Sequence, residues 1–255
     1  MVALVQQLWF NGRRQFGLYY QLDEDGRGAA YSAHRGLALH GVAPVGEATY
    51  RAGGPFQEHP ETAVEHLQRA GCEVVLCIAE PIGAAAFVAT ARRRGWRIPV
   101  GLCSLTDPEA LLERLADQPE TAAGSGLVTT QVVPSYHQEL PGVAEYRRLM
   151  DLWNPTLPEP LNDPQQPLRR YSFSGLEGYL SAQVVVAALR RAGPELNRGS
   201  FRAAVAELGD LDLGLDVPLH FATERLQASD EIYYARIEEN RWVPVSNWYA
   251  ALQVP

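Results

Sequence analysis

The 255-residue sequence contains no lysine, and all 22 of its basic residues are arginine. That absence removes whole classes of chemistry. A phosphate-binding P-loop needs its lysine, and pyridoxal phosphate enzymes need one for the Schiff base. Cysteine is scarce too, and Cys72, Cys77 and Cys103 are too few for a disulfide scaffold. Cys72 and Cys77 flank Val74-Val75-Leu76 at an odd spacing, which points them to opposite faces of a strand. They read as small buried hydrophobes rather than a bridge. No G-x-G-x-x-G follows a strand and no G-x-S-x-G elbow occurs, so the dinucleotide cradle and the hydrolase nucleophile are both missing. No window has the length and apolarity of a transmembrane helix. The net charge of −8 disfavours nucleic acid, whose phosphates need a basic surface. Met1–Phe10 lacks the basic region and cleavage site of a secretory signal, which by itself points to the cytoplasm.

What is present suits a packed α/β protein. Hydrophobic residues make up 46% and charged residues 20%, enough apolar matter for a core. The length allows one large or two modest domains. Apolar runs at 16–22, 45–50, 73–79, 98–102 and 127–133 read as strands. Helical patterns at 27–39, 61–70, 84–94 and 108–115 alternate with them. That alternation predicts a parallel sheet with helices on both faces. Ligands of such sheets sit at the carboxyl ends of strands, which selects the loops Asp23–Gly26, Glu80–Gly83 and Cys103–Asp107. A helix over 141–153 follows. Pro155, Pro158, Pro160, Pro164 and Pro167 then mark a connector. A short helix is expected at 198–208, and strands at 217–221, 232–237 and 242–245, the last two joined by a turn at 238–241.

Between connector and short helix lies Tyr171–Gly193, YSFSGLEGYLSAQVVVAALRRAG, a helix with both ends marked. Ser174 and Glu177 have capping-box spacing. Leu176, Leu180, Val184 and Ala188 form an apolar face, Arg190 and Arg191 suit the negative helix end, and Gly193-Pro194 stops it. This string resembles a helix of the type I periplasmic solute-binding proteins, the group of ABC-transporter components that includes branched-chain amino acid and amide binders. GVAPVGEATY, CEVVLCIAEPIGAAAFVATARRRGW, GLVTTQVVPS, DLDLGLDVPLHFA and IYYARIEENRWVPV are also similar to segments of that family, in its order.

The resemblance implies a periplasmic binding protein type I-like α/β fold with one near-complete lobe and a remnant of the other. On that reading residues 1–12 are a remnant of lobe one and 13–153 are lobe two. Residues 154–170 connect, 171–221 return to lobe one, and 222–255 return to lobe two. It further implies a non-enzymatic, cofactor-free binder of a small polar solute that closes by a hinge and delivers to an ABC permease. The parent would be longer at the N-terminus and periplasmic if its gene carries a signal peptide, and this chain would pair with a missing lobe or with copies of itself. A sensory module of the same fold is the alternative, and an α/β enzyme the least favoured.

In the amino acid binders lobe two supplies aromatic and acidic contacts. The corresponding positions here carry Asp25, Glu80, and Cys103 with Ser104, so amino acid specificity does not transfer. By location Asp25 and Glu80 could accept hydrogen bonds, and Ser104 and Thr106 could give or take one. Asp25 equally suits a turn or helix cap, and Cys103 plain packing. Tyr171 and Phe173 suit an aromatic wall or hinge packing, and Tyr136-His137, after the fifth strand, suits the cleft lining or, more commonly for such a pair, a surface loop. His59 and His66 lack a third partner for a metal.

Overall fold

The computed structural model describes residues 1–116, 124–153, 156, 168–225 and 227–254. The five connector prolines lie outside the described residues. The chain divides into two compact units, one of residues 1–131 and 234–255, the other of residues 132–233.

The first unit contains, in chain order, α1 (Val2–Phe10), β1 (Phe16–Gln21), α2 (Glu24–Ala38), β2 (Gly46–Tyr50), α3 (Glu61–Arg69), β3 (Val74–Ile78), α4 (Pro81–Arg93), β4 (Val100–Leu102), α5 (Pro108–Ala116) and β5 (Leu127–Gln131). The second contains α6 (Pro141–Trp153), α7 (Phe173–Ala192), α8 (Arg198–Ala206), β6 (Asp210–Leu211) and β7 (Leu219–His220). The chain then returns to the first unit with β8 (Tyr233–Glu238), β9 (Arg241–Pro244) and α9 (Trp248–Ala251). One seven-stranded sheet runs β2-β1-β3-β4-β5-β8-β9, and β6 pairs with β7. The pairs β1–β2, β1–β3, β3–β4 and β4–β5 are parallel; β8–β9 is an antiparallel hairpin.

Alternate residues of the strands serve opposite faces. Phe16 and Leu18 join Val74, Leu76 and Ile78 in a core shared with Leu4, Val5 and Leu8 of α1 and Ala33 and Leu37 of α2. On the other face Tyr19 stacks on Phe87 of α4 at 4.5 Å. Gly17 leaves room there for Leu67 of α3 and for Cys72, whose Sγ would lie 2.6 Å from any added Cβ. Every residue of β3 is buried, as a strand covered on both sides requires. The helix read as a separate piece at 1–12 therefore packs inside the first unit, because Leu4, Val5 and Leu8 need that sheet to be covered. Helix α6, grouped with the first unit by sequence, falls in the second. All three cysteines are free and buried.

Several boundaries shift for local reasons. Helix α2 starts three residues early because Asp23, in extended geometry, caps it by accepting from the Gly26 N–H at 2.7 Å. Pro81 opens α4 rather than forming a turn, since its fixed φ suits the first helical position. Helix α7 is capped by Ser172, which accepts from the Gly175 N–H at 2.9 Å; Ser174 is already helical, so the expected capping box does not form. Strand β4 begins only after Pro99, which has no N–H for the ladder. The 238–241 turn forms as expected, with Glu239 and Asn240 at φ 48° and 60°, the geometry of a two-residue hairpin turn.

Two polar anchors hold the first unit together at a distance. Fully buried Trp242 donates its Nε1–H to the Pro108 carbonyl at 2.8 Å, tying β9 to the start of α5. Arg92, 6% exposed, donates to the carbonyls of Trp96, Ile98 and Ser125 at 3.0, 2.9 and 3.0 Å. Burial pulls its guanidinium down to about 10, which leaves it charged at neutral pH.

Trp242→Ala removes a large buried ring and is expected to cost about 3–5 kcal/mol in denaturant unfolding; a loss below about 1 kcal/mol would show that the hairpin does not anchor the unit. The Asp23 carboxyl is held below its ordinary range, first by the Gly26 N–H and then by the Gln21 side chain. Its contribution is therefore complete above the unfolded carboxylate value of about 3.9 and fades as pH falls toward the depressed folded value. Asp23→Ala should lose about 0.5–1 kcal/mol at pH 7. Asp23→Asn should retain most of the cap and flatten the acid limb of a stability–pH curve.

Candidate functional site

At the carboxyl ends of β1 and β4 the first unit carries an open cavity of about 530 Å³. One wall is the first two turns of α2, with Glu24, Asp25, Ala29 and Ser32; the other is the loop after β4, with Cys103 and Ser104.

The α2 wall is set by its cap. Gln21, at the end of β1, donates through Nε2 to the Asp23 carboxylate, whose other oxygen takes the Gly26 N–H. Gly26 is required there: a Cβ would sit 2.1 Å from the Gln21 carbonyl oxygen. With the helix start fixed in this way, Asp25, Gly28, Ala29 and Ser32 follow at helical spacing and share one face. Asp25 is exposed and makes no hydrogen bond or ion pair among the described residues. The Ser32 hydroxyl donates to the Gly28 carbonyl at 3.0 Å, so its oxygen remains available as an acceptor.

The opposite loop is equally constrained. The Thr106 N–H donates to the Cys103 carbonyl at 3.0 Å, and Thr106 Oγ1 donates to the Ala79 carbonyl at 2.5 Å. Asp107 accepts from the Ala110 N–H at 2.8 Å and opens α5. Thr106 is buried and committed to holding the loop. Ser104 is left exposed at its tip. Burial pushes the Cys103 thiol up, so this residue is a protonated, apolar part of the wall and not a nucleophile.

Three sequence-selected residues, Asp25, Cys103 and Ser104, thus line one cavity. Glu80 does not line it. Its carboxylate accepts from Gln57 Nε2, and it stands at the capping position of α4 without a side-chain cap bond. Tyr171 belongs to the second unit, where its hydroxyl donates to Asp151 of α6. That acceptor, more than any other influence, raises the Tyr171 phenol. In the same unit Phe173 is buried and meets Tyr136 edge-to-face at 5.2 Å. Tyr136 is thus a core residue, not the surface loop residue its Tyr-His context suggested. Glu24 lay in the selected loop without being singled out, and sequence reasoning missed Ala29 and Ser32. Starting α2 at Glu24 instead of Arg27 would have revealed the Asp25–Ala29–Ser32 stripe.

Chemically the cavity offers two exposed carboxylates and two hydroxyls over an apolar floor of Cys103 and Leu105. That set can accept hydrogen bonds from an ammonium or amide group. Among the described residues no group of three or more His, Cys, Asp or Glu side chains could hold a metal ion.

No curated protein matches the chain significantly. Among solved structures, a possible leucine/isoleucine/valine-binding protein from Rhodopirellula baltica is similar with a TM-score of 0.82 and 24% identity, over 99% of this chain and 64% of that one. A substrate-binding periplasmic protein from Ralstonia solanacearum gives 0.76 and 26%, over 95% and 64%. A branched-chain amino acid ABC transporter protein from Thermus thermophilus with bound valine gives 0.75 and 17%, over 96% and 63%. This chain therefore spans less than two thirds of the length of these relatives. The sequence profile described as periplasmic binding protein matches residues 1–241, and the chain belongs to that family.

Proposed function

We propose that this chain is the larger part of the solute-binding component of an ABC importer, acting in the periplasm and delivering a small polar solute to a permease. The observation that carries this reading is the cavity at the carboxyl ends of β1 and β4, lined by Asp25, Ser32 and Ser104. Parallel α/β sheets bind ligands at that rim. The exposed carboxylates favour a solute with an amino or amide N–H, which is compatible with amino acids and their amides. No step of covalent chemistry is needed, and the high thiol range of Cys103 fits a binding wall.

Two features support a longer parent protein. The relatives are half as long again as this chain, which covers 64% of two of them. Helix α7 leaves Val185, Val186 and Leu189 between 39% and 45% exposed, and a further segment of the second unit would cover such residues. A second lobe closing over the rim would bury the solute further and raise affinity.

Thermal unfolding of the purified chain in millimolar leucine, valine, alaninamide, acetamide or urea tests the reading. A solute at one hundred times its dissociation constant should add about 2.7 kcal/mol of stability. At least one of these should raise the melting temperature, and Ser104→Trp, which fills the cavity, should abolish the rise. A flat response from this chain and from a longer in-frame product would overturn it.

A further inference from the structure

A second cavity, of about 430 Å³, opens in the first unit between edge strand β2, the start of α3 and the loop at 51–60 that follows β2. It shares no lining residue with the rim cavity. Tyr19, Tyr50, Phe56 and Ala63 form its apolar walls, and Thr49 and His66 are among its polar groups.

The wall formed by Phe56 is held in place. Gly53 adopts φ +68°, and its N–H donates to Gln57 Oε1. Gln57, 6% exposed, turns its Nε2 to the Glu80 carboxylate. The backbone adds Gly54 N–H to Arg51 carbonyl at 3.0 Å and Gln57 N–H to Gly54 carbonyl at 3.1 Å. A glycine- and proline-rich loop is thereby fixed from within the unit, and it presents Phe56, 63% exposed, to the cavity. Glu80 therefore holds this cavity's wall and does not line the cavity of Asp25 and Ser104.

The inner wall is aromatic. Tyr19 is fully buried, stacked between Tyr50 at 5.2 Å and Phe87 at 4.5 Å. Its hydroxyl has no hydrogen-bond partner among the described residues, which is unusual for a buried phenol. The one carboxylate in the lining, Glu47, already faces His34 at 3.3 Å. The cavity thus combines aromatic surfaces with hydroxyl and imidazole groups and has little net charge to offer an ion. Its volume falls within the range that takes a small organic molecule.

We propose that this cavity is a second binding site, for a neutral planar aromatic solute of one or two rings that carries a hydrogen-bonding oxygen. The ring packs against the exposed face of Phe56, and the oxygen meets the Thr49 hydroxyl and the His66 imidazole. The proposal does not rest on the importer reading, because the two cavities share no lining residue and can be filled separately.

Saturation-transfer NMR of the full chain with phenol and benzamide as probes tests this, with cyclohexanol and benzoate as non-planar and charged controls. Both probes should receive saturation and the controls little. Phe56→Ala should weaken binding about tenfold, Glu80→Ala should weaken it by freeing the loop, and Ala63→Trp should abolish it. Ser104→Trp, in the other cavity, should leave it unchanged. Absence of transfer to both probes, equal transfer to the controls, or loss of binding in Ser104→Trp but not in Ala63→Trp would each overturn the proposal. Should Ala63→Trp fail to fold, Phe56→Ala decides the matter, since truncating an exposed ring leaves the core intact; unchanged binding in that variant counts against the site.

Discussion

A parallel strand covered on both faces has only its ends to offer to other molecules. That constraint governs the first unit. Phe16, Leu18, Leu76 and Ile78 are committed to one layer of helices, and Tyr19 to the other through Phe87. The faces of β1, β3, β4 and β5 are almost wholly buried, whereas β2 keeps Glu47 and Thr49 exposed. The cavities described above lie at the turns that leave the strands and at the β2 edge of the sheet, whose other edge is β9.

The two places are joined by side chains rather than by backbone. Tyr50 walls the edge cavity, and its hydroxyl donates to Gln21 Oε1 at 2.8 Å. Gln21 in turn donates to Asp23, which caps the helix that carries Asp25 to the rim. Three polar side chains at the ends of β1 and β2 thus spend their hydrogen bonds on position, not on ligand. They are buried or half-buried and mutually satisfied, the condition under which such networks stiffen a site. The acidic residues left outside the network, Glu24 and Asp25, are the exposed ones.

Much of this was legible from local pattern. The run around Val74–Ile78 is apolar at every position, and only a doubly covered strand has use for that. The alternation of such runs with helices fixed the layer architecture, and a glycine or proline marked most ends. Asp25, Cys103 and Ser104 were selected because they follow strands, and the three line one cavity. What local pattern cannot carry is a side-chain bond between distant residues. Glu80 meets Gln57 across 23 positions, and Tyr171 meets Asp151 across 20. Each looked free in the sequence because its partner lies on another element. The start of α2 was misplaced for the opposite reason. Asp23, Glu24, Asp25 and Gly26 all suit turns, and only the bond from Gly26 to Asp23 decides that the run begins a helix. The two-residue strand β6 is too short to announce itself by alternation, whereas its partner β7 lies within the strand expected at 217–221.

The bond from Trp242 to Pro108 spans 134 positions, and the whole of the second unit is encoded between its partners. A growing polypeptide therefore exposes the β5 side of its sheet until the final hairpin has been made. The unit whose residues are contiguous can reach its native contacts first, while the discontinuous one waits for its last strands. The order of synthesis and the order of completion run in opposite directions, and the interval between them is when an unpaired sheet border is open to the wrong neighbour.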